Sequence, residues 1–162
     1  MTSSKSTRIG VISDTHGLLR PEAVAALAGV DLILHAGDVG SEHVLQALRE
    51  IAPVTAVRGN NDKASWAAGL KLSETVEFAG LSLYMIHDIA DLDVNPAAAG
   101  FAAVITGHSH KSSVRMQEGV LFMNPGSAGP QRFRLPITLG RLELRAGALH
   151  AEIQELGIAR RP

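Results

Sequence analysis

The chain has 162 residues, with 15 Lys and Arg against 16 Asp and Glu, a formal net charge of −1 and no cysteine. This length is about that of one domain and suffices to bury a core without disulfides. The even charge balance argues against a strongly electrostatic grip on nucleic acid or on an anionic membrane, and any metal must be held by nitrogen and oxygen ligands.

The first residues, MTSSKSTR, are polar, and no apolar segment long enough for a signal peptide or a membrane span follows them. We expect residues 1–7 to be a frayed leader and residues 1–162 to form a single domain. The protein is accordingly expected to be cytoplasmic, without a membrane partner.

In the first half of the chain, short apolar runs alternate with helical patterns. Strands are predicted over Arg8–Ser13, Asp31–His35 and Val54–Val57, and helices over Pro21–Ala28 and Glu42–Glu50. Strand and helix that alternate through such short connections indicate a parallel α/β sheet.

After about residue 70 the pattern changes to mostly strand, with a short Ala-rich helix after Pro96. The predicted strands of this half are Leu72–Phe78, Leu81–His87, Ala103–Thr106, Ser113–Gln117, Val120–Met123, Ile137–Leu144 and Leu149–Leu156. Two sheets with helices outside would cover every apolar face. The predicted fold is therefore an α/β class, four-layer α/β/β/α sandwich of two mixed sheets flanked by helices.

Five predicted strands end in polar residues that burial does not require. The motifs are Asp14-Thr15-His16, Gly37-Asp38, Gly59-Asn60-Asn61-Asp62, His87-Asp88 and Gly107-His108-Ser109-His110. Ligands gather at the carboxyl ends of strands in open α/β sheets, so we expect these loops to converge. Taken singly, the motifs also fit a helix cap, a turn or a hydrogen-bonded core histidine. Imidazoles mixed with carboxylate and amide oxygens suit divalent first-row metals.

In this order the five motifs resemble those of calcineurin-like metallophosphoesterases, over nearly the whole chain. The small size and Asn124-Pro125-Gly126-Ser127 make the chain similar to the compact YfcE-type phosphodiesterases. The resemblance implies two divalent ions bridged by Asp38, with manganese favoured and nickel, iron and zinc as alternatives. One ion would also take Asp14, His16 and His110, and the other Asn60, His87 and His108.

The resemblance further implies a phosphodiesterase in which hydroxide held between the two ions attacks phosphorus, without a protein nucleophile. Asp38, Asn60 and His108 are assigned to catalysis through the metals. The expected partner is a small-molecule phosphodiester, strong nucleic-acid binding is not expected, and formation of a homo-oligomer is left open.

Further residues near the motifs are interpreted in two ways. Asn124, Gly126 and Ser127 form a tight turn in the plainer interpretation and bind a substrate phosphate in the functional one, where Arg132 would add a forked contact. Asp88 either accepts a hydrogen bond from an imidazole or caps the next turn.

One position departs from the wider superfamily, in which a histidine that is thought to assist the leaving group follows the Asn ligand. Here that position is Asn61. We therefore expect weak protonation of the leaving group and a preference for acidic leaving groups.

The remaining candidates receive plainer interpretations. His35 is expected to be buried and supporting, His43 solvated on its helix, His150 part of the last hairpin and Trp66 a packing residue. Two alternatives to a phosphodiesterase stay open. One is a protein-binding scaffold of the same fold, similar to a retromer subunit, and the other is a hydrolase that uses the same centre on a phosphomonoester or an amide.

Overall fold

The computed structural model describes residues 6–157. Within these residues, the helices are α1 (Pro21–Ala26), α2 (Glu42–Arg49) and α3 (Pro96–Ala99), with 3-10 turns at Ser65–Gly69 and Ile89–Asp91. The strands are β1 (Thr7–Ile12), β2 (Leu32–His35), β3 (Val54–Ala56), β4 (Ser73–Phe78), β5 (Leu81–Ile86), β6 (Ala103–Ile105), β7 (Ser113–Gln117), β8 (Val120–Asn124), β9 (Thr138–Arg145) and β10 (Ala148–Glu155).

The strands form two mixed sheets of five strands each. Sheet A has the order β10-β9-β1-β2-β3, and sheet B has the order β4-β5-β6-β8-β7. The parallel pairs are β1 with β2 and β2 with β3 in sheet A, and β6 with β5 and with β8 in sheet B. As a result, the carboxyl ends of β1, β2, β3 and of β5, β6 carry the five predicted loops.

The main core lies between the two sheets. It contains buried side chains such as Val11 and Leu34 from sheet A and Met85 and Ile105 from sheet B. These strands read as continuous apolar runs because both of their faces are covered.

A second core covers the outer face of sheet A under α1 and α2. The amphipathic α2 buries Val44, Leu45 and Leu48 on this face. The side chain of Leu27, just after α1, packs so closely over Gly10 of β1 that a Cβ atom at Gly10 would collide with its methyl group. Glycine at this position therefore sets the distance between α1 and the sheet.

The outer layer over sheet B is thin. The four-residue helix α3 buries none of its own residues, and a small cluster of Tyr84, Ile86, Val104 and Val120 is covered by flanking side chains such as Phe101. The apolar area on this face is small enough for short segments to cover it.

The structure confirms the predicted α/β/β/α sandwich, with strand ends that differ by at most one residue. His87 and Thr106 were predicted inside strands but lie just beyond β5 and β6, because the chain turns there to enter the candidate site. Thr7 belongs to β1 rather than to a frayed leader, and residues 1–5 lie outside the described residues. Across residues 6–157, none of the helices has both the length and the hydropathy that crossing a bilayer requires.

Candidate metal centre

The five predicted loops meet at one edge of the sandwich, between the two sheets. Sheet A supplies Asp14 and His16 after β1, Asp38 after β2 and Asn60 after β3, whereas sheet B supplies His87 after β5 and His108 and His110 after β6. The structure thus brings together all seven residues that the sequence singled out as ligands, although they are up to 96 positions apart (110 − 14).

The first group of donors consists of Asp14, His16 and His110, whose ligand atoms all lie within 4.8 Å of one another. Asp14 Oδ1 is 3.9 Å from His16 Nε2 and 3.5 Å from His110 Nε2. The two imidazole Nε2 atoms are 3.4 Å apart. A carboxylate oxygen and two imidazole nitrogens that converge in this way can coordinate one divalent ion.

The second group consists of Asp38, His87 and His108, and Asn60 joins it. Asp38 Oδ2 lies 3.3 Å from His87 Nε2. Asn60 Oδ1 lies 3.1 Å from His87 Nε2 and 3.2 Å from His108 Nδ1. This group offers oxygen and nitrogen donors of the same kinds as the first.

The two groups adjoin each other through their carboxylates. Asp38 Oδ2 lies 3.7 Å from His16 Nε2 of the first group, and Asp14 Oδ1 lies 3.9 Å from His87 Nε2 of the second. Asp38 therefore faces both sets of imidazoles, as the predicted bridging position requires.

Asp14 gives a direct test of whether a cation fits here. Its Oδ1 is buried and has no hydrogen-bond partner among residues 6–157, although it faces three imidazole Nε2 atoms. An unpaired buried carboxylate oxygen is costly, and a bound cation would remove that cost. The donor set and this orphaned oxygen both fit a divalent metal ion.

The other oxygen of Asp14 is held by the protein. Ser13 Oγ and the backbone N–H of His108 donate to Oδ2, at 2.7 and 3.0 Å. A Cβ atom at Gly107 would collide with Ser13 Oγ and come within 2.8 Å of Asp14 Oδ2. Gly107 is thus needed for close approach, whereas the turn itself is made by His108, which has a φ of 73°.

Asp38 is held in its ionised form. Burial alone would raise its pKa, but hydrogen bonds from His87 and from the backbone and side chain of Asn61 bring the pKa well below the usual range. Asn61 donates to Oδ1 from its backbone at 2.9 Å and to Oδ2 from its amide at 3.1 Å. Asn61 consequently orients the carboxylate that both groups share.

Hydrogen bonds fix the orientation of the His87 ring. Its Nδ1–H donates to the carbonyl oxygen of Ala36 at 2.7 Å, and its Nε2 lies 3.3 Å from Asp38 Oδ2, to which it donates when the ring is protonated. Burial favours the neutral ring, but the hydrogen bonds to Asp38 and Ala36 outweigh it and raise the pKa of His87. Burial also raises the pKa of Asp14 and lowers that of His110.

The backbone of the site is strained. Five of the seven predicted ligands have a left-handed backbone conformation: Asp14, His16, Asp38, His108 and His110, with φ between 46° and 73°. This conformation costs free energy for residues other than glycine, and such residues cluster at functional sites. Tight packing of the loops maintains the strain, since a Cβ atom at Gly59 would collide with Asp38.

Asp62 has a role that its sequence motif did not reveal. Its Oδ2 accepts from the backbone N–H groups of Val39 and Gly59, and its Oδ1 accepts from that of Gly40. The carboxylate therefore ties the loop after β2 to the loop after β3, behind the donors. The run Asn60-Asn61-Asp62 signalled a turn but not this contact between distant segments.

The supporting histidine is His35. Its Nδ1 accepts from the backbone of Gly37, and its Nε2 lies 2.9 Å from Thr15 Oγ1. Complete burial lowers its pKa to about 3, so it is neutral at pH 7. The predictions for His35, for exposed His43 on α2 and for Trp66, which packs against the core, are confirmed. His150 lies in β10, in the last hairpin.

Three of the predicted phosphate contacts are engaged within the protein. Asn124 donates to Gly107 O and accepts from the backbone of Gly126, so it braces the loop of His108 and His110. The Ser127 hydroxyl donates to Asp14 O. Their hydrogen bonds favour the plainer interpretation as a supporting turn, and phosphate binding stays a prediction.

Two charged residues flank the donors. Arg132 is exposed, and its positive charge adds to burial in lowering the pKa of His110; its phosphate contact stays a prediction. For Asp88 the structure shows the cap, whereas its contact with an imidazole is too long for a hydrogen bond. Its Oδ1 caps the turn Ile89–Asp91 by accepting from Ala90 N, and its Oδ2 lies 3.6 Å from His108 Nε2.

Comparison with known proteins agrees with this geometry. The model of the calcineurin-like phosphoesterase superfamily domain matches residues 7–147. The chain belongs to this superfamily. A probable metallophosphoesterase from Methanothermobacter thermautotrophicus is 35% identical over 161 residues, covering 92% of each chain. The resemblance that the motifs indicated is confirmed, and with it a hydrolase family that acts on phosphoesters and uses divalent metals.

Solved structures share the fold. A novel archaeal phosphodiesterase has a TM-score of 0.77 at 23% identity, covering 91% of this chain and 100% of its own. The phosphoesterase Yfce from E. coli has a TM-score of 0.66 at 21% identity, with coverages of 88% and 91%. Vacuolar Protein Sorting 29 from Cryptosporidium parvum has a TM-score of 0.73 at 20% identity, with coverages of 93% and 98%. At these identities, the likeness concerns the fold alone.

Proposed function

We propose that the protein is a binuclear metal-dependent phosphodiesterase acting on a small-molecule diester in the cytoplasm, as one domain over residues 1–162. The observation that carries the proposal is the pair of adjoining donor groups around Asp38, with the unpaired buried oxygen of Asp14 between three imidazoles. Burying so many polar groups together costs free energy, and a protein-binding scaffold would have no use for them.

Each predicted ligand has a place in this proposal. One ion would be held by Asp14, His16 and His110, the other by Asn60, His87 and His108, and Asp38 would be shared by both. Two divalent ions, with manganese favoured, would lower the pKa of a water and neutralise the phosphoryl oxygens. Asn61 keeps Asp38 ionised and oriented, and Ala36 keeps the proton of His87 away from the ion.

The test is metal content and turnover of a chromogenic diester, bis(4-nitrophenyl) phosphate, by Mn²⁺-loaded protein. We expect two ions per chain in the wild type and loss of activity by a factor of about 10³ or more in Asp38→Asn. His43→Ala, on the exposed face of α2, is the matched control and should retain both ions and activity. A higher rate for the diester than for 4-nitrophenyl phosphate would distinguish a phosphodiesterase from a phosphomonoesterase.

The similarity to Vacuolar Protein Sorting 29 favours one second candidate, a protein-binding scaffold of the same fold. This candidate predicts that folded protein, loaded in turn with Mn²⁺, Ni²⁺, Zn²⁺ and Fe²⁺, turns over neither diester nor monoester. That result would overturn the phosphodiesterase proposal.

A further inference from the structure

A cavity of about 550 Å³ opens beside the second donor group. Asn60, His87 and His108 line it together with Arg58, Leu72 and residues between 84 and 93. Its volume lies in the range of small-molecule sites. A substrate whose phosphorus lies at the donors would place its remaining part in this cavity.

The cavity walls combine apolar surface with hydrogen-bonding groups. Leu72 is 62% exposed and lines the cavity together with Ile86. The buried ring of Tyr84 packs on Phe101 with centroids 5.2 Å apart, and Tyr84, which carries a hydroxyl group, lines the cavity. Such walls suit a flat, partly apolar group that carries hydroxyl or amino groups.

The charge of the lining residues is uneven. Asp88, Asp91 and Asp93 oppose a single cationic side chain, Arg58, among the described lining residues, which gives a formal charge of −2 (1 − 3) with neutral histidines. Neither Asp91 nor Asp93 has a cationic group within 4 Å in residues 6–157. The 3-10 turn fixes this acidic wall, since Asp91 N donates to Asp88 O.

The charge distribution separates two regions of the site. A phosphoryl group is attracted to the donor side, which would hold cations under the proposed function, and to the half-buried Arg58. A second phosphate on the same substrate would lie near Asp91 and Asp93, where like charges repel at short range.

From this arrangement we infer that the cavity selects phosphodiesters with a single negative charge, whose alcohol part is nucleoside-like: a flat ring with hydroxyl or amino donors. Leu72 and Tyr84 contact the ring, and Asp91 and Asp93 accept hydrogen bonds from the donors and repel substrates with further phosphates. The inference rests on the proposed function for the place of the phosphorus, and it names the substrate class.

The experiment measures binding rather than turnover. Mn²⁺-loaded protein, freed of excess metal, is titrated in a calorimeter with the methyl ester of thymidine 5′-monophosphate, which has one negative charge, and with the same ester bearing a 3′-phosphate. Methanol is a poor leaving group, so both esters persist during the titration. At low ionic strength, we expect the singly charged ester to bind about tenfold more tightly than the ester with the 3′-phosphate. High salt should reduce this preference, because it screens the repulsion between charges.

The test variant is Asp91→Asn/Asp93→Asn, which should reduce the preference to about twofold. Glu50→Gln/Glu118→Gln removes the same charge from exposed positions outside the cavity and should leave the tenfold preference unchanged. Thermal unfolding of each variant checks that it is folded. Equal binding of the two esters by wild type, binding of neither, or a preference that survives in Asp91→Asn/Asp93→Asn would overturn the inference.

Failure of the proposed function would be seen separately. Turnover of bis(4-nitrophenyl) phosphate by the wild type tests that function, and Glu50→Gln/Glu118→Gln should retain it, because neither residue lines the cavity or is a predicted ligand. Charge selectivity without turnover would contradict the enzyme but not the cavity's preference, whereas turnover without selectivity would contradict only the inference.

Discussion

His35 lies directly behind the donors and links stability to pH. Its pKa of about 3 in the folded protein lies below the ordinary value of 6.5, so the unfolded chain takes up a proton first as pH falls. This contribution is fully present above pH 6.5 and is lost as pH falls toward 3, at about 1.4 kcal/mol per pH unit at most.

We expect His35→Gln to reduce the slope of the free energy of unfolding against pH between 6.5 and 4, measured by urea denaturation of metal-free protein. His43→Gln is the matched control, since its side chain is exposed. A slope that is the same in His35→Gln and in wild type would show that His35 does not remain neutral.

Asn61 predicts the leaving-group preference of the enzyme. Its side chain is engaged with Asp38 and has no acidic proton to give, and general acids typically contribute factors of about 10² to 10⁴. An aryl methyl phosphate diester should therefore lose its aryl group at least about 100-fold faster than dimethyl phosphate loses methanol, because no acid assists departure of the methoxide. Equal rates for the two diesters would reveal another acid.

At the scale of elements, Gly10 controls how α1 packs on sheet A. Gly10→Ala places a methyl group against the side chain of buried Leu27, and overpacking of this kind costs about 1–3 kcal/mol. We expect a lower denaturation midpoint with unchanged metal content, because the contact lies outside the donor loops. Gly69→Ala, where an added Cβ meets nothing within 4 Å, is the control and should have a much smaller effect. Loss of metal from Gly10→Ala would contradict the expectation that packing of α1 does not affect the donor loops.

The elements themselves were largely predictable, because apolar runs covered on both faces and Pro or Gly at their ends mark strands and helices locally. The 3-10 turns Ser65–Gly69 and Ile89–Asp91 were missed, since so short a turn leaves no periodic pattern. The convergence of the five loops was predictable from the strand ends. The hydrogen bonds that Asp62 and Asn61 make with the loop after β2 could not be predicted, because they depend on the register of neighbouring strands and not on spacing along the chain.

For the whole molecule, the candidate metal centre leads us to expect that bound metal raises the free energy of unfolding. Metal bound 100-fold above its dissociation constant adds about 2.7 kcal/mol, which corresponds to about 5–10 °C for a domain of this size. We expect a chelator to lower the melting temperature by this amount in scanning calorimetry. The effect should shrink as pH falls, beginning above pH 6.5, because the raised pKa of His87 lets protons compete for its nitrogen. A melting temperature indifferent to chelator and added metal, in wild type and Asp38→Asn alike, would contradict the centre.

Each donor group draws side chains from both sheets: Asp14 and His16 meet His110, and Asp38 meets His87 and His108. Neither sheet alone contains a complete set. The donors of one group therefore come together only after the two sheets have packed against each other. A partly folded chain offers only isolated side chains, each of which binds metal weakly. Under the proposed function, metal binding would come last in folding, and metal-loaded protein should resist motions that separate the two sheets.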